Sequence, residues 1–141
     1  MEDFHAGINY VSHSDIEVTE ASPDRAVGRI ALANHHHQPY GVVHGGVYCT
    51  LVETLASTGG ALWAMDRGMA GCVGVHNSTD FLRSTREGVL IGEATPIHRG
   101  RTQQLWQVEV TRESDGKLVA RGQVRLQNIA DASVIGGMAA T

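Results

Sequence analysis

The chain has 141 residues, enough for one domain with a sizeable core, and 42% of them are hydrophobic against 18% charged, which excludes a disordered chain. Its formal net charge of -4 argues against nucleic acid as the main partner, because binding a phosphate backbone needs a basic surface. No basic-plus-apolar leader and no stretch long enough to cross a bilayer is visible, so the expectation is a cytoplasmic protein with no membrane partner.

Residues 8–18 and 25–33 carry the β-branched character of two strands, with Ser22-Pro23-Asp24 as the turn between them. Residues 34–43 read as a loop. From Gly45 to Met65 the spacing predicts one long helix, and Val47, Leu51, Val52, Leu55, Ala56, Leu62 and Met65 cover more than one stripe, so it should be enclosed on most sides. Gly59-Gly60 costs that helix about 1 kcal/mol per glycine relative to alanine. The pair points to close packing against another backbone or to an early helix end.

Four strand-like stretches follow. Residues 71–83 place Val73, Val75, Asn77, Thr79 and Phe81 on one side. Residues 87–98 run around Val89-Leu90-Ile91. In 102–112, Trp106, Val108 and Val110 alternate with polar residues, and 117–127 does the same with Leu118, Ala120, Gly122, Val124 and Leu126. Ser114-Asp115-Gly116-Lys117 should join the last two as a hairpin. The Ala/Gly/Ser-rich tail, 128–141, is expected to fray. With no repeat or linker, residues 1–141 form a single α+β domain, an antiparallel sheet in succession curled around one long central helix.

Glu53 is the single charged residue between Arg29 and Asp66, set in the apolar run Leu51-Val52-Glu53-Thr54-Leu55-Ala56. A carboxylate there has no Lys or Arg one helical turn away. That opposes the plainer reading, a surface glutamate on a half-exposed helix. Cys49, Glu53 and Ser57, spaced four apart, share one helix face. Gly45 and Gly46 occupy the first turn, where backbone N–H groups lack intrahelical acceptors and the dipole favours negative charge. Such donors stabilise a developing oxyanion, while a carboxylate acts as general base for water or as nucleophile. Cys49 and Cys72 show no CxxC pattern and read as free thiols in a reducing compartment. Three consecutive histidines, His35-His36-His37, cannot all point inward and have no Cys or Asp at ligand spacing. No metal is expected, and the loop should shape the mouth of a pocket beside Gln38. Trp63 and Trp106 read as core or interface.

The run from Gly41 through His44-Gly45-Gly46 to Glu53 and Ser57 resembles the signature of the hotdog-fold acyl-CoA thioesterases of the PaaI and 4-hydroxybenzoyl-CoA type. In that family an HGG segment opens the central helix and an acidic residue follows nine positions after the His. His98-Arg99-Gly100-Arg101-Thr102 resembles that family's later Gly-Arg stretch, and the likeness spans roughly residues 25–127. The resemblance implies Glu53 as the catalytic carboxylate and the Gly45 N–H as the donor that polarises the thioester carbonyl. It implies His44 and Gln38 as groups positioning that carbonyl, and Ser57 as support for the water or the carboxylate. It implies a homo-oligomer built from dimers and extending to a homotetramer, with the site completed across the dimer interface. Where the subgroup has Asn-x-x-(aromatic or His)-x-Arg-Pro after the helix, this chain reads Asn77-Ser78-Thr79-Asp80-Phe81-Leu82-Arg83-Ser84, with Ser84 in place of proline. Arg83, Arg99 and Arg101, with Thr102, are the candidates for coenzyme A phosphate contacts. Plain solvated arginines at strand ends are the competing reading. The expected function is acyl-CoA thioester hydrolysis with no cofactor beyond the coenzyme A of the substrate. A non-catalytic acyl-CoA binding module on the same fold is the alternative. A hotdog dehydratase would carry an Asp/His pair in a different motif.

Overall fold

The computed structural model describes residue 7 and residues 9–134. A short helix α1 (Tyr10–His13) precedes strands β1 (Glu17–Ala21) and β2 (Ala26–Ala31), a 3-10 turn (Asn34–His36) and the long helix α2 (Gly45–Met65). Strands β3 (Gly71–Phe81), β4 (Val89–Arg99), β5 (Gln103–Arg112) and β6 (Leu118–Ile129) complete one six-stranded sheet in the order β1-β2-β4-β5-β6-β3, every pairing antiparallel. This is the hotdog fold expected from the sequence, and α2 has the predicted bounds. No helix among the described residues is long and apolar enough to cross a membrane.

The sheet can wrap closely because its inner face is small where the helix is large. A Cβ on Gly28 of β2 would lie 2.8 Å from Leu55, one on Gly92 of β4 would lie 2.6 Å from it, and one on Gly122 of β6 would lie 2.8 Å from Val52. Gly28 and Gly92 are paired across their strands, so Leu55 sits over a two-residue depression. Leu51, Val52, Leu55 and Ala56 are fully buried there with Leu90, Val108, Val110, Val124 and Leu126.

Several expectations change. The segment 8–18 is not one strand: Asn9 caps α1 through its side chain, accepting the Ser12 N–H, and the extended backbone begins only at Glu17. The last four strands are not in simple succession, since β3 crosses to the far edge beside β6 and β4 pairs with β2. Val73 and Val75 do not share a face with Asn77, Thr79 and Phe81. The register of β3 slips between Gly74 and His76, and this bulge reverses the alternation. Gly59 and Gly60 neither end the helix nor meet a backbone. Their missing Cβ atoms make room for the Trp106 ring (2.5 Å) and for Leu126.

Nor does a frayed tail begin at 128. Asn128 and Ile129 are buried in β6, and a 3-10 turn covers Ala132–Val134. The rest of that expected tail, 135–141, and the N-terminal residues 1–6 lie outside the described residues. Asn128 belongs to a closed polar network. Trp106 Nε1 donates to Gln104 Oε1 (2.8 Å), and Gln104 Nε2 donates to Gly60 O (3.1 Å) and Asn128 Oδ1 (2.8 Å). Asn128 Nδ2 in turn holds the carbonyls of Gly100 and Arg101 (2.9 and 3.1 Å). Each buried donor finds an acceptor, so burial of Gln104 is tolerated.

Candidate active site

Glu53 projects from the middle of α2 onto an open cleft of about 580 Å³, shared with Cys49, Thr50, Thr54, Ser57 and Thr58 of the same helix, Asn77 of β3, and Asn9, Tyr10 and Val11 at α1. The shared face of Cys49, Glu53 and Ser57 is therefore present. The carboxylate is half-buried and held from β3 on both sides. Asn77 Nδ2 donates to its Oε1 (3.2 Å) and also to the Cys49 carbonyl (3.1 Å). A Cβ on Gly74 would lie only 2.0 Å from its Oε2. Gly74→Ala is therefore expected to keep the fold, because Gly74 lies on the exposed edge strand, yet to push the carboxylate aside. Hydrolysis should fall by about 10²-fold, the effect of an ångström-scale misplacement; turnover beside a circular-dichroism spectrum checks it.

Cys72, at the start of β3, points its thiol toward the Ser57 carbonyl (3.8 Å). Burial, and secondarily the negative Glu53, pushes this thiol up to about 12. Thiolate is the reactive form, so below that pH Cys72 stays protonated and inert. At pH 8 iodoacetamide should leave Cys72 unmodified in the native protein and label it after unfolding, as peptide mass spectrometry would read; native labelling would contradict its burial.

The other residues expected at the site lie elsewhere in the single chain. Gly45 opens α2, and its N–H finds no acceptor among the described residues. It lines a separate hollow of about 300 Å³ with Gln38, Phe81, Leu82, Arg83 and Ser84. The glycine is required there by the Phe81 ring, which a Cβ would meet at 2.4 Å. Gln38 turns its Oε1 toward the Tyr40 N–H. His44 is the N-cap of α2: its Nδ1 accepts the Gly46 N–H at 2.8 Å, and its exposed ring borders a third hollow with His13, His35, His36 and His37. The histidine loop therefore does not share Gln38's hollow, contrary to the expectation.

Of the four candidate phosphate contacts, Arg83 is exposed beside Gly45, while Arg99, Arg101 and Thr102 cluster at the β4–β5 turn near the C-terminal end of α2. Arg99 is engaged locally, donating to Asp24 Oδ1 and Pro23 O (both 2.8 Å), which pins the β1–β2 turn. Arg101 and Thr102 are exposed.

Asp15, His35 and His36 bring ligand-type atoms within 4.8 Å of one another, a spacing that could hold a cation. The tautomer opposes it. The Ala33 N–H donates to His36 Nδ1 (2.9 Å), which leaves the proton of the neutral ring on Nε2, 3.1 Å from Asp15 Oδ2. Burial lowers the His36 pKa and so keeps the ring neutral, while the hydrogen bond to His35 holds the Asp15 carboxyl below its usual range. The three side chains act as a clasp between the α1–β1 link and the loop before α2.

Sequence reasoning assigned no role to Gly74 or the α1 segment, and it marked Asn77 only as the first residue of the stretch that resembles the family's Asn-x-x-(aromatic or His)-x-Arg-Pro run. Nothing local to β3 announces the bulge that turns Asn77 inward. Tyr10 reaches Thr50 (2.8 Å between hydroxyls) across 40 residues of chain.

A six-stranded antiparallel sheet wrapped around one long helix defines a hotdog protein. The chain belongs to the thioesterase superfamily, whose family model matches residues 40–119. A solved candidate esterase of Mycobacterium tuberculosis superposes with a TM-score of 0.84 at 44% identity, over 88% of this chain and 98% of its own. A Haemophilus influenzae thioesterase structure gives 0.78 at 34% identity, over 85% and 82%. The Escherichia coli 1,4-dihydroxy-2-naphthoyl-CoA hydrolase is 31% identical over 72% of this chain and 74% of that one. These relatives place the chain among hydrolases of thioesters.

Proposed function

We propose that the protein hydrolyses acyl-CoA thioesters in the cytoplasm, with Glu53 as the catalytic carboxylate and the Gly45 N–H as the oxyanion donor. The observation that carries this reading is the placement of Glu53, a carboxylate without a cationic partner among the described residues, held at the edge of an apolar cleft large enough for an acyl group. Water adds to the thioester carbon, the C–S bond breaks, and the proton lost by water ends on the departing coenzyme A sulfur. Glu53 serves as the base for that water or as the group that attacks first. Ser57 supports it one turn further along the same face, while His44 and Gln38 position the carbonyl. Arg83, Arg101 and Thr102 are offered to the phosphates of coenzyme A, together with Arg99 once it leaves Asp24. The naphthoyl-CoA hydrolase among the relatives supports coenzyme A as the carrier.

One chain cannot do this alone. Gly45 and Glu53 are eight residues apart, about 12 Å along the helix axis at 1.5 Å per residue. A single carbonyl cannot touch both. The partner for the site is a second copy, built as a dimer and extending to a homotetramer. The outer edge of β3 is unpaired among the described residues, and Val75 (53% exposed), Phe81 (55%) and Leu82 (50%) present apolar side chains along it. Pairing there would bring the start of one helix toward the middle of the other.

The test is a panel of acyl-CoAs, benzoyl-CoA and hexanoyl-CoA among them, followed by released thiol with the oligomeric state measured alongside. Thiol release by a dimer or tetramer supports the proposal. Acyl-CoAs that raise the melting temperature without releasing thiol would identify a binding module instead.

A further inference from the structure

Resting on Glu53 as the catalytic carboxylate, the geometry points to Asn77 as its positioning residue, oriented in turn by Thr79. The argument starts with the strand. Cys72 and Gly74 face the helix, and strict alternation would bring His76 in next. The bulge between Gly74 and His76 shifts the phase, so Asn77 and Thr79 face inward instead. Asn77 is thereby delivered one strand-width from the carboxylate.

Its amide is not free to turn. Thr79 Oγ1 donates to Asn77 Oδ1 (2.7 Å), so the oxygen end is occupied and the NH₂ end must face α2. There it meets two acceptors, the Cys49 carbonyl and Glu53 Oε1. Reversing the amide would set its oxygen against both, which removes two hydrogen bonds and leaves acceptors facing acceptors. The chain Thr79 to Asn77 to Glu53 thus fixes one carboxylate oxygen. The bare Cα of Gly74 leaves the space in which the other lies close to the strand. A carboxylate clamped this way is pre-oriented toward the cleft, and that orientation is what an attack on a carbonyl carbon requires.

The experiment is a double-mutant cycle on the full-length protein with benzoyl-CoA and hexanoyl-CoA, reading kcat and KM separately. Asn77→Asp keeps the side-chain size but sets a second acceptor and a like charge where the donor stood, so Glu53 loses its fixed contact and is repelled; kcat should fall by about 10²-fold with KM changed little. Thr79→Val should cost about tenfold in kcat by the same loss of orientation, and Thr79→Ser, which keeps the hydroxyl, should restore it. In a Glu53→Ala background neither change should matter further, because the group they position is gone. Should Asn77→Asp fold poorly, the Thr79→Val and Thr79→Ser pair carries the test alone. Near-parental kcat for Asn77→Asp, or for Thr79→Val, in a protein that Glu53→Ala inactivates would overturn the inference and leave the Glu53 reading standing. A further loss in the Glu53→Ala background would overturn it too. An active Glu53→Ala protein would remove the reading itself, and the inference with it.

Discussion

Replacing Glu53 by alanine is expected to abolish nearly all thioester hydrolysis while the fold and the oligomer persist. The side chain stands at the edge of an open cleft and accepts one side-chain hydrogen bond, from Asn77. Little packing is lost when it goes, and Asn77 keeps its bond to the Cys49 carbonyl. The chemistry has no such reserve. Among the described residues no other carboxylate lines that cleft, and Cys72, the nearby thiol, stays protonated at working pH. A positioned base contributes about 10²–10⁴-fold, and a fall of that size or more in kcat is expected. Glu53→Gln, which keeps the shape and the contact surface, should be equally inactive. Activity within about tenfold of the parent, against a base worth so much more, would remove Glu53 from the mechanism.

The second large effect concerns stability. Trp106 is fully buried, fills the space that Gly59 leaves open, and donates its indole N–H to Gln104. Trp106→Ala should cost about 3–5 kcal/mol through the cavity it leaves, with Gln104 Oε1 deprived of its donor in addition. At fixed protein concentration the thermal midpoint should drop by about 10 °C or more. Gly59→Leu attacks the same contact from the helix side, and overpacking of this kind costs about 1–3 kcal/mol or more. Because the two side chains compete for one volume, the double variant should recover part of the loss. A parental melting point for Trp106→Ala would mean that the helix and sheet are not held together at this contact.

Much of the fold was legible in the chain. Local periodicity defines α2 to the residue and gives β5 and β6 their inward and outward faces. Glycine and aspartate at 114–117 mark the hairpin, where Gly116 takes a φ of 70°. The first strand was misplaced because an Asn-capped turn of helix and a β-branched strand look alike over so few residues. The failure at β3 is of another kind. Val73 and Val75 alternate correctly with Asn77, and only the pairing with β6 reveals that one residue is extra.

By itself the sequence determined the long apolar helix, its glycine-rich first turn, and the single charge on it at a position that shares a face with Cys49 and Ser57. These are consequences of spacing along one element, and spacing survives whatever the rest of the chain does. The tertiary structure alone decided that β3 lies at an open edge and that its bulge brings Asn77 against Glu53. It alone showed that Arg99 is tied to Asp24, and that Gly45 and Glu53 face different hollows. Those facts depend on which strands pair and in what register, and pairing is set by contacts between residues far apart in sequence.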